Sequence, residues 1–93
     1  MKFEWDAFKS QACYRDRGFD FAFVARVFLD PRRLVREDTR YSYGESRYQL
    51  MGKVEGRLFV VIYTRRRDVV RIISGRKGNQ REVKEYEDRT HDD

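Results

Sequence analysis

The feature that most constrains the fold is the unbroken apolar run Leu-Phe-Val-Val-Ile-Tyr at residues 58–63. A strand that is apolar at every position is typical of the centre of a sheet, where both faces are covered. The preceding pair Glu55-Gly56 can form a two-residue turn, because glycine readily adopts positive φ. We therefore predict a hairpin of strands 47–54 and 57–64, followed by a strand at residues 69–74 that pairs antiparallel with the second.

The N-terminal part is predicted to contain a short strand and a helix. Residues 3–5 form a segment long enough only for a short first strand. Asp6 can then cap a helix that ends near Gly18. In this helix we expect Phe8 and Ala12 to face inward.

A second helix is expected to start at Asp20 and to end at the pair Asp30-Pro31, because proline disfavours helical geometry in the residue before it. The residues predicted to form its inward face are Val24, Val27 and Phe28. A short strand at residues 34–37 should follow.

The last helix is predicted to start at Asn79, because Asn79 and Glu82 have the spacing of a capping box. Val83 and Tyr86 would dock this helix, and the acidic tail after Glu87 is expected to fray. The order of elements indicates an α+β fold with an N-terminal strand and two helices, an antiparallel sheet of about four strands, and a C-terminal helix.

A chain of 93 residues is short, so we expect one domain, spanning residues 1–93, with one hydrophobic core. A single cysteine, Cys13, cannot form an internal disulfide. No apolar run resembles a signal peptide or a membrane span. We therefore expect a cytoplasmic protein that does not bind membranes.

The distribution of charge points to an anionic partner such as nucleic acid. The formal net charge is +5, and residues 65–84 contain eight Lys or Arg but only two acids. Residues 85–93, by contrast, contain five acids and one Arg. The positive charge is thus concentrated around the last two predicted strands.

Arg71 interrupts an apolar strand and should project from the same face as Val69 and Ile73. A cation among apolar neighbours needs an anionic partner. One possibility is a phosphate, which a guanidinium group binds through two parallel hydrogen bonds. The other is an internal ion pair. The carboxylates that would serve are Glu4, Asp6 and Asp38.

The remaining basic residues of this region lie in the predicted turn and before the last helix. The turn residues form either a solvated turn or part of an anion site; they are Arg65, Arg66 and Arg67. Arg76 and Lys77 precede a helix N-terminus, which adds its own positive end. We expect Arg66, Arg76 and Lys77 to converge with Arg71 on one anion.

RNA suits such a site, because its own 2′-hydroxyl can attack the neighbouring phosphorus when positive charge stabilises the reaction. We therefore expect neither a metal ion nor another cofactor. Hydroxyl groups near the basic cluster belong to Tyr63, Thr64 and Ser74. The rings that can stack on unpaired bases are those of Tyr41, Tyr43 and Tyr48. His91, the only histidine, lies in the acidic tail and is not assigned a role.

Several segments together match a known family. They are Lys2-Phe3-Glu4-Trp5-Asp6 with Lys9, Gly18-Phe19-Asp20-Phe21, Val27-Phe28-Leu29-Asp30-Pro31, Gly44-Glu45-Ser46-Arg47-Tyr48 and Gly56-Arg57-Leu58 through Tyr63-Thr64. The most specific is Arg71-Ile72-Ile73-Ser74-Gly75-Arg76-Lys77, with Arg81, Glu82 and Tyr86 after it. In their order and spacing, these segments resemble the BrnT toxins of bacterial type II toxin-antitoxin systems.

The resemblance implies a fold like that of the RelE family of microbial ribonucleases and metal-independent cleavage of RNA that blocks translation and growth. It also implies an antitoxin partner, a BrnA-like ribbon-helix-helix protein encoded in the same operon. The two proteins would form a complex that represses the operon and reaches operator DNA only through the antitoxin.

The resemblance also indicates site residues. Thr64 and Arg66 match a Thr-x-Arg of the family, and the segment that begins at Arg71 matches its Arg-Ile-Ile-Ser-Ala-Arg-Lys run, with Gly75 in place of Ala. Many relatives have Lys-His-Gly where this chain has Asp16-Arg17-Gly18, and some have His at the position of Tyr63. The general base is therefore left unassigned.

We expect an endoribonuclease toxin whose catalytic residues are Thr64, Arg66, Arg71, Arg76 and Lys77. The residues expected to bind the RNA substrate are Tyr63, Ser74, Arg65 and Arg67. The alternative is a nucleic-acid-binding module without catalysis, whose basic face only tracks phosphates. A third possibility is that the basic face is mainly the docking surface for an acidic antitoxin segment. It is compatible with the first, because an antitoxin on that face would inhibit the enzyme.

Overall fold

The computed structural model describes residues 1–40 and 44–90, with only the backbone for Thr90. Its elements are β1 (Lys2–Trp5), α1 (Ala7–Arg17), α2 (Phe21–Val24) with a 3₁₀ turn (Ala25–Leu29), β2 (Leu34–Asp38), β3 (Arg47–Val54), β4 (Arg57–Arg66), β5 (Val69–Lys77) and α3 (Gln80–Thr90). The predicted α+β class is confirmed. Within these residues, no helix is long and apolar enough to cross a membrane.

The sheet has five strands in the order β1-β5-β4-β3-β2. Strands β2 to β5 pair antiparallel with one another, as predicted. The N-terminal strand β1 joins the same sheet as a fifth strand, parallel to β5, and so brings Glu4 opposite Arg71. The parallel pair was not predicted, because its two strands lie more than sixty residues apart in the chain.

Strand β4 is covered on both faces, as its apolar sequence predicts. Phe59 and Val61 belong to a core formed with α1, α2 and the 3₁₀ turn, on what we call the α1/α2 face of the sheet. Leu58 and Val60 pack with residues of α3 on the opposite face, the α3 face. The hairpin turn before β4 is also confirmed: Glu55-Gly56 has positive φ at both positions (51° and 80°), as in a type I′ turn.

Helix α1 has the predicted ends but a different buried face. The Asp6 carboxylate accepts hydrogen bonds from the N–H groups of the first turn, and Gly18 ends the helix in a left-handed conformation, with φ of 87°. Phe8, expected to face inward, is 81% exposed. Ser10 is buried instead, because its hydroxyl accepts the N–H of Phe21 at 3.0 Å and so determines which side of the helix faces the core.

The second helix is shorter than predicted. Its cap is Asp20, which accepts the N–H of Phe23, but after one α-helical turn the chain continues as the 3₁₀ turn. Val24 and Val27 are fully buried, as predicted. A Cβ atom at Gly75 would lie 3.0 Å from Val24 Cγ1, so glycine at this position lets the helix pack closely on the sheet.

Helix α3 begins with the predicted capping box. Asn79 Oδ1 accepts the N–H of Glu82 at 2.8 Å, and Glu82 Oε1 accepts the N–H of Asn79 at 2.9 Å. Tyr86 is buried against the sheet, with Val83 beside it. The helix continues to Thr90, so the fraying expected after Glu87 was wrong for these residues.

Candidate active site

One row of side chains crosses all five strands on the α3 face. Each residue of the row is the register partner of the next, from β1 at one edge to β2 at the other. In that order the row consists of Glu4, Arg71, Thr64, Arg47 and Asp38, and we call it the transverse row. It has a carboxylate at each end, two guanidinium groups inside and a hydroxyl group at the centre.

Arg71 forms an ion pair within this row. Its Nη1 lies 3.2 Å from Glu4 Oε2, and the two side chains are 32% and 41% exposed. Of the two partners considered from the sequence, the structure therefore contains the protein carboxylate. The pair lies at the surface, where an anion from solvent can reach it.

Arg66 extends the row toward the loop that precedes β3. Its Nη2 and Nε atoms face the Glu45 carboxylate at 3.2 Å and 3.5 Å, and its Nη1 lies 4.0 Å from Glu4 Oε2. The hydrogen bond and charge of Arg66 lower the pKa of Glu45 below its usual value. Two carboxylates and two guanidinium groups thus lie close together beside Thr64, the centre of the row. They are those of Glu4, Glu45, Arg66 and Arg71.

Thr64, at the centre, is 1% exposed. Its hydroxyl donates to the carbonyl oxygen of Ser46 at 2.7 Å and lies 3.4 Å from Glu45 Oε2. Thr64 therefore holds the segment that carries Glu45 against β4.

The chain matches a protein-family model. The model of the ribonuclease toxin BrnT of the type II toxin-antitoxin system matches residues 5–82. The chain belongs to the BrnT family. It is therefore a ribonuclease toxin of a type II toxin-antitoxin system, and this class of system implies an antitoxin partner. No curated protein matches the chain.

In this BrnT chain, Arg76 lies away from the transverse row. It is the register partner of Val60, four residues along β4 from Thr64, a separation of roughly 13 Å. Its guanidinium binds both oxygens of Glu82, at 2.8 Å and 2.7 Å. This hydrogen-bonded pair lowers the pKa of Glu82 to about 2 and raises that of Arg76. Arg76 thus fixes the start of α3, and the predicted convergence with Arg71 on one anion does not occur.

Lys77 and Arg65 belong to the opposite face of the sheet. Lys77 is the register partner of Phe59, and Arg65 is the partner of Val70, both of which lie on the α1/α2 face. The predicted grouping of Lys77 with the other basic residues is therefore absent. Arg76 and Lys77 are neighbours in β5 and point to opposite faces, and a shift in the pairing of β4 with β5 places Arg76, not Lys77, on the face of Arg71.

Tyr63 also faces the α1/α2 side and is 6% exposed. Its ring stacks on Tyr48 at 5.5 Å between centroids and meets the edge of Phe28 at 5.0 Å. Burial raises the pKa of the Tyr63 phenol. Both tyrosines were expected near the RNA, but Tyr63 is part of the core and Tyr48 is partly buried against it.

The remaining predicted residues lie at the surface. Ser74 is exposed and pairs with Ile62, one row from the transverse row. Arg67 is exposed in the β4–β5 turn with φ of 60°. Tyr41, Tyr43 and His91 lie outside the described residues.

Two members of the site were not predicted as site residues from the sequence. Glu45 and Arg47 were noted only within a segment that resembles the family, and Glu4 only as a possible partner of Arg71. The positions of Glu4 and Arg47 depend on strand register, which joins residues far apart in the chain, and that of Glu45 depends on its contacts with Thr64 and Arg66. The resulting site combines proton-accepting carboxylates with phosphate-binding guanidinium groups.

Proposed function

We propose that this toxin is an endoribonuclease that cleaves RNA at the transverse row without a metal ion. The observation that carries the proposal is the arrangement around Arg66, whose guanidinium contacts Glu45 and approaches Glu4, the partner of Arg71. This geometry supplies positive charge for a phosphate and an ionised carboxylate beside it. Both are needed for attack by the 2′-hydroxyl group of RNA.

Arg66 and Arg71 would bind the scissile phosphate. A guanidinium has five N–H donors, and the contact of Arg71 with Glu4 engages only its Nη1, so Arg71 retains donors for a phosphate oxygen. Partly exposed ion pairs are weak, so the phosphodiester anion of the RNA backbone can compete with Glu4 for these groups. Hydrogen bonds from both arginines would then stabilise the negative charge that develops on the phosphorane oxygens.

Glu45 would act as the general base. Its carboxylate takes the proton of the 2′-hydroxyl as the 2′-oxygen forms a bond to phosphorus. The bond from phosphorus to the 5′-oxygen then breaks, and that oxygen leaves with a proton from solvent. The products are a 2′,3′-cyclic phosphate and a 5′-hydroxyl end. Thr64 and Arg66 would orient the Glu45 carboxylate for this transfer.

The test is cleavage of RNA by the purified full chain in the presence of EDTA. We expect internal cuts with 2′,3′-cyclic phosphate ends, and no cuts in a strand of the same sequence made of deoxynucleotides. Cleavage that stops in EDTA would contradict metal independence. Salt-sensitive binding of RNA without any turnover would favour the alternative of a non-catalytic nucleic-acid-binding module.

The antitoxin partner would be a ribbon-helix-helix protein of the BrnA type, encoded in the same operon. Its docking over the α3 face would cover the arginines and inhibit cleavage, and the complex would reach operator DNA through the antitoxin. We expect growth arrest, with blocked translation, when the chain is induced alone. Co-expression of the adjacent reading frame should relieve the arrest, and persistent arrest would contradict this pairing.

A further inference from the structure

A polar groove of about 340 Å³ lies on the α3 face between β2, the chain just after it, and the start of α3. Four guanidinium groups line it, one each from β2, the chain just after β2, β5 and α3. They belong to Arg36, Arg40, Arg76 and Arg81, and we call this feature the arginine groove. The amide side chains of Gln49 and Asn79 also line it.

The arginine groove has an excess of positive charge. Its carboxylates are those of Asp38, bound by Arg40 at 2.9 Å and 3.0 Å, and Glu82, bound by Arg76. Glu37 also borders the groove, but its register partner Tyr48 lies on the opposite face, so strand alternation directs its carboxylate there. Four guanidinium groups therefore stand against two carboxylates.

The two arginines not bound to these carboxylates are Arg36 and Arg81. Arg36 donates through Nε to Gln49 at 2.8 Å and through Nη1 to Glu85, outside the groove, at 3.2 Å. Arg81 is exposed in the first turn of α3, and within residues 1–40 and 44–90 no ion pair involves it. Arg36 is therefore paired with Glu85 from outside the groove, in a partly exposed ion pair that an anionic ligand can compete with. The positive charge available to a ligand is that of Arg81 together with this weakly paired Arg36.

The arginine groove is continuous with the transverse row. Asp38 belongs to both, because it is bound by Arg40 in the groove and is the register partner of Arg47 in the row. Gln49 follows Arg47 by two residues on the same strand and faces the same side. A linear ligand held at Arg66 and Arg71 can therefore continue across the sheet into the groove.

We propose that the arginine groove binds a nucleotide of single-stranded RNA that flanks the cleavage position. Guanidinium groups hold its phosphate, and the amides of Gln49 and Asn79 hydrogen-bond its base. The identification of the ligand as substrate RNA rests on the proposed function. An acidic protein segment would match the charge alone, whereas RNA matches the charge, the amide groups and the continuity with the row.

The test measures binding of a 2′-O-methylated RNA strand, which cannot be cleaved, to the full chain by fluorescence anisotropy at several salt concentrations. Arg81→Ala and Arg36→Ala should each weaken binding about tenfold, the effect of one lost charge-assisted hydrogen bond. Each should also reduce the slope of log K against log salt by about 0.7, the value for one phosphate contact on a single strand. Arg15→Ala, which removes an exposed arginine of α1, is the matched control and should bind as the wild type does.

Arg81→Glu is a second variant at an exposed site, and it should weaken binding further than Arg81→Ala if the fold is intact by circular dichroism. Unchanged affinity and salt slope in the Arg81 variants would overturn the proposal. If the same variants bound the RNA as the wild type does but lost affinity for the antitoxin, the groove would instead be a protein-docking surface. Failure of the proposed function has a different signature, namely RNA binding without cleavage by the wild type.

Discussion

The carboxylate of Glu45 lies against the guanidinium of Arg66, with 3.2 Å between Glu45 Oε1 and Arg66 Nη2. If Glu45 accepts the proton of the 2′-hydroxyl, Glu45→Gln removes the proton acceptor but keeps the shape of the side chain. We expect kcat to fall by about 10²- to 10⁴-fold, with a smaller change in KM. Initial rates at saturating RNA check this, and a variant with the wild-type kcat would exclude Glu45 as the base.

The contact between Arg66 and Glu45 also predicts a pH dependence. Because Arg66 lowers the pKa of Glu45 below its usual 4.5, the carboxylate stays ionised as the pH falls to that value. The acid limb of kcat/KM should therefore lie below pH 4.5. In Arg66→Ala the limb should move to higher pH, since the stabilising charge is gone. If the acid limb measured from the residual activity of Arg66→Ala lay at the same pH as in the wild type, Glu45 would not be the group that titrates there.

The pair of Arg76 and Glu82 predicts how stability depends on pH. The pKa of Glu82 is lowered to about 2, so its contribution is complete above the usual 4.5 and is lost as the pH falls from 4.5 to 2. This contribution is about 3 kcal/mol for a buried carboxylate with such a shift. In Glu82→Gln, the free energy of unfolding measured with urea should change less over this range.

Glu87→Gln is the matched control for that measurement, because it removes an exposed glutamate from the same helix. Its pH profile should follow the wild type. An equally steep acid loss in Glu82→Gln would mean that the pair does not stabilise the start of α3.

Tyr86 and Asp30 form a hydrogen bond that ties α3 to the end of the 3₁₀ turn. The Tyr86 hydroxyl donates to Asp30 Oδ2 at 2.5 Å, and the same oxygen accepts the N–H of Lys53 at 2.7 Å. Tyr86→Phe should cost about 1–3 kcal/mol of unfolding free energy, because the carboxylate loses a partner in a partly buried site. Urea denaturation with an unchanged m-value checks this. Tyr14→Phe, at an exposed tyrosine of α1, should have no effect.

Local sequence patterns predicted those parts of the fold whose physical cause is also local. Two examples are the capping box of Asn79 and Glu82 and the turn at Glu55-Gly56. Both depend only on residues close together in the sequence. Strand β4 was recognised because its central position requires apolar side chains on both faces. In α1, by contrast, the bond from Phe21 to Ser10 joins two elements, and no pattern within the helix indicated that Phe8 would be exposed.

The candidate site was less predictable, because strand register is not local. Between Ile62 and Tyr63 the pairing of β4 with β5 shifts, so that Ile73 is an extra residue in β5. Simple alternation would have placed Lys77 on the face of Arg71 and Arg76 on the opposite face. The shift exchanges them, and it therefore determines which basic residue lies on the α3 face.

The central claim is that Arg66 and Arg71 stabilise the phosphate during cleavage. The measurement that tests it most directly is the single-turnover rate of RNA cleavage in EDTA by the double variant Arg66→Ala/Arg71→Ala, with Arg15→Ala as the control. Loss of such charge stabilisation should slow the step by at least about 10²-fold, while the control cleaves at the wild-type rate. Cleavage at the full rate by the correctly folded double variant would contradict the account.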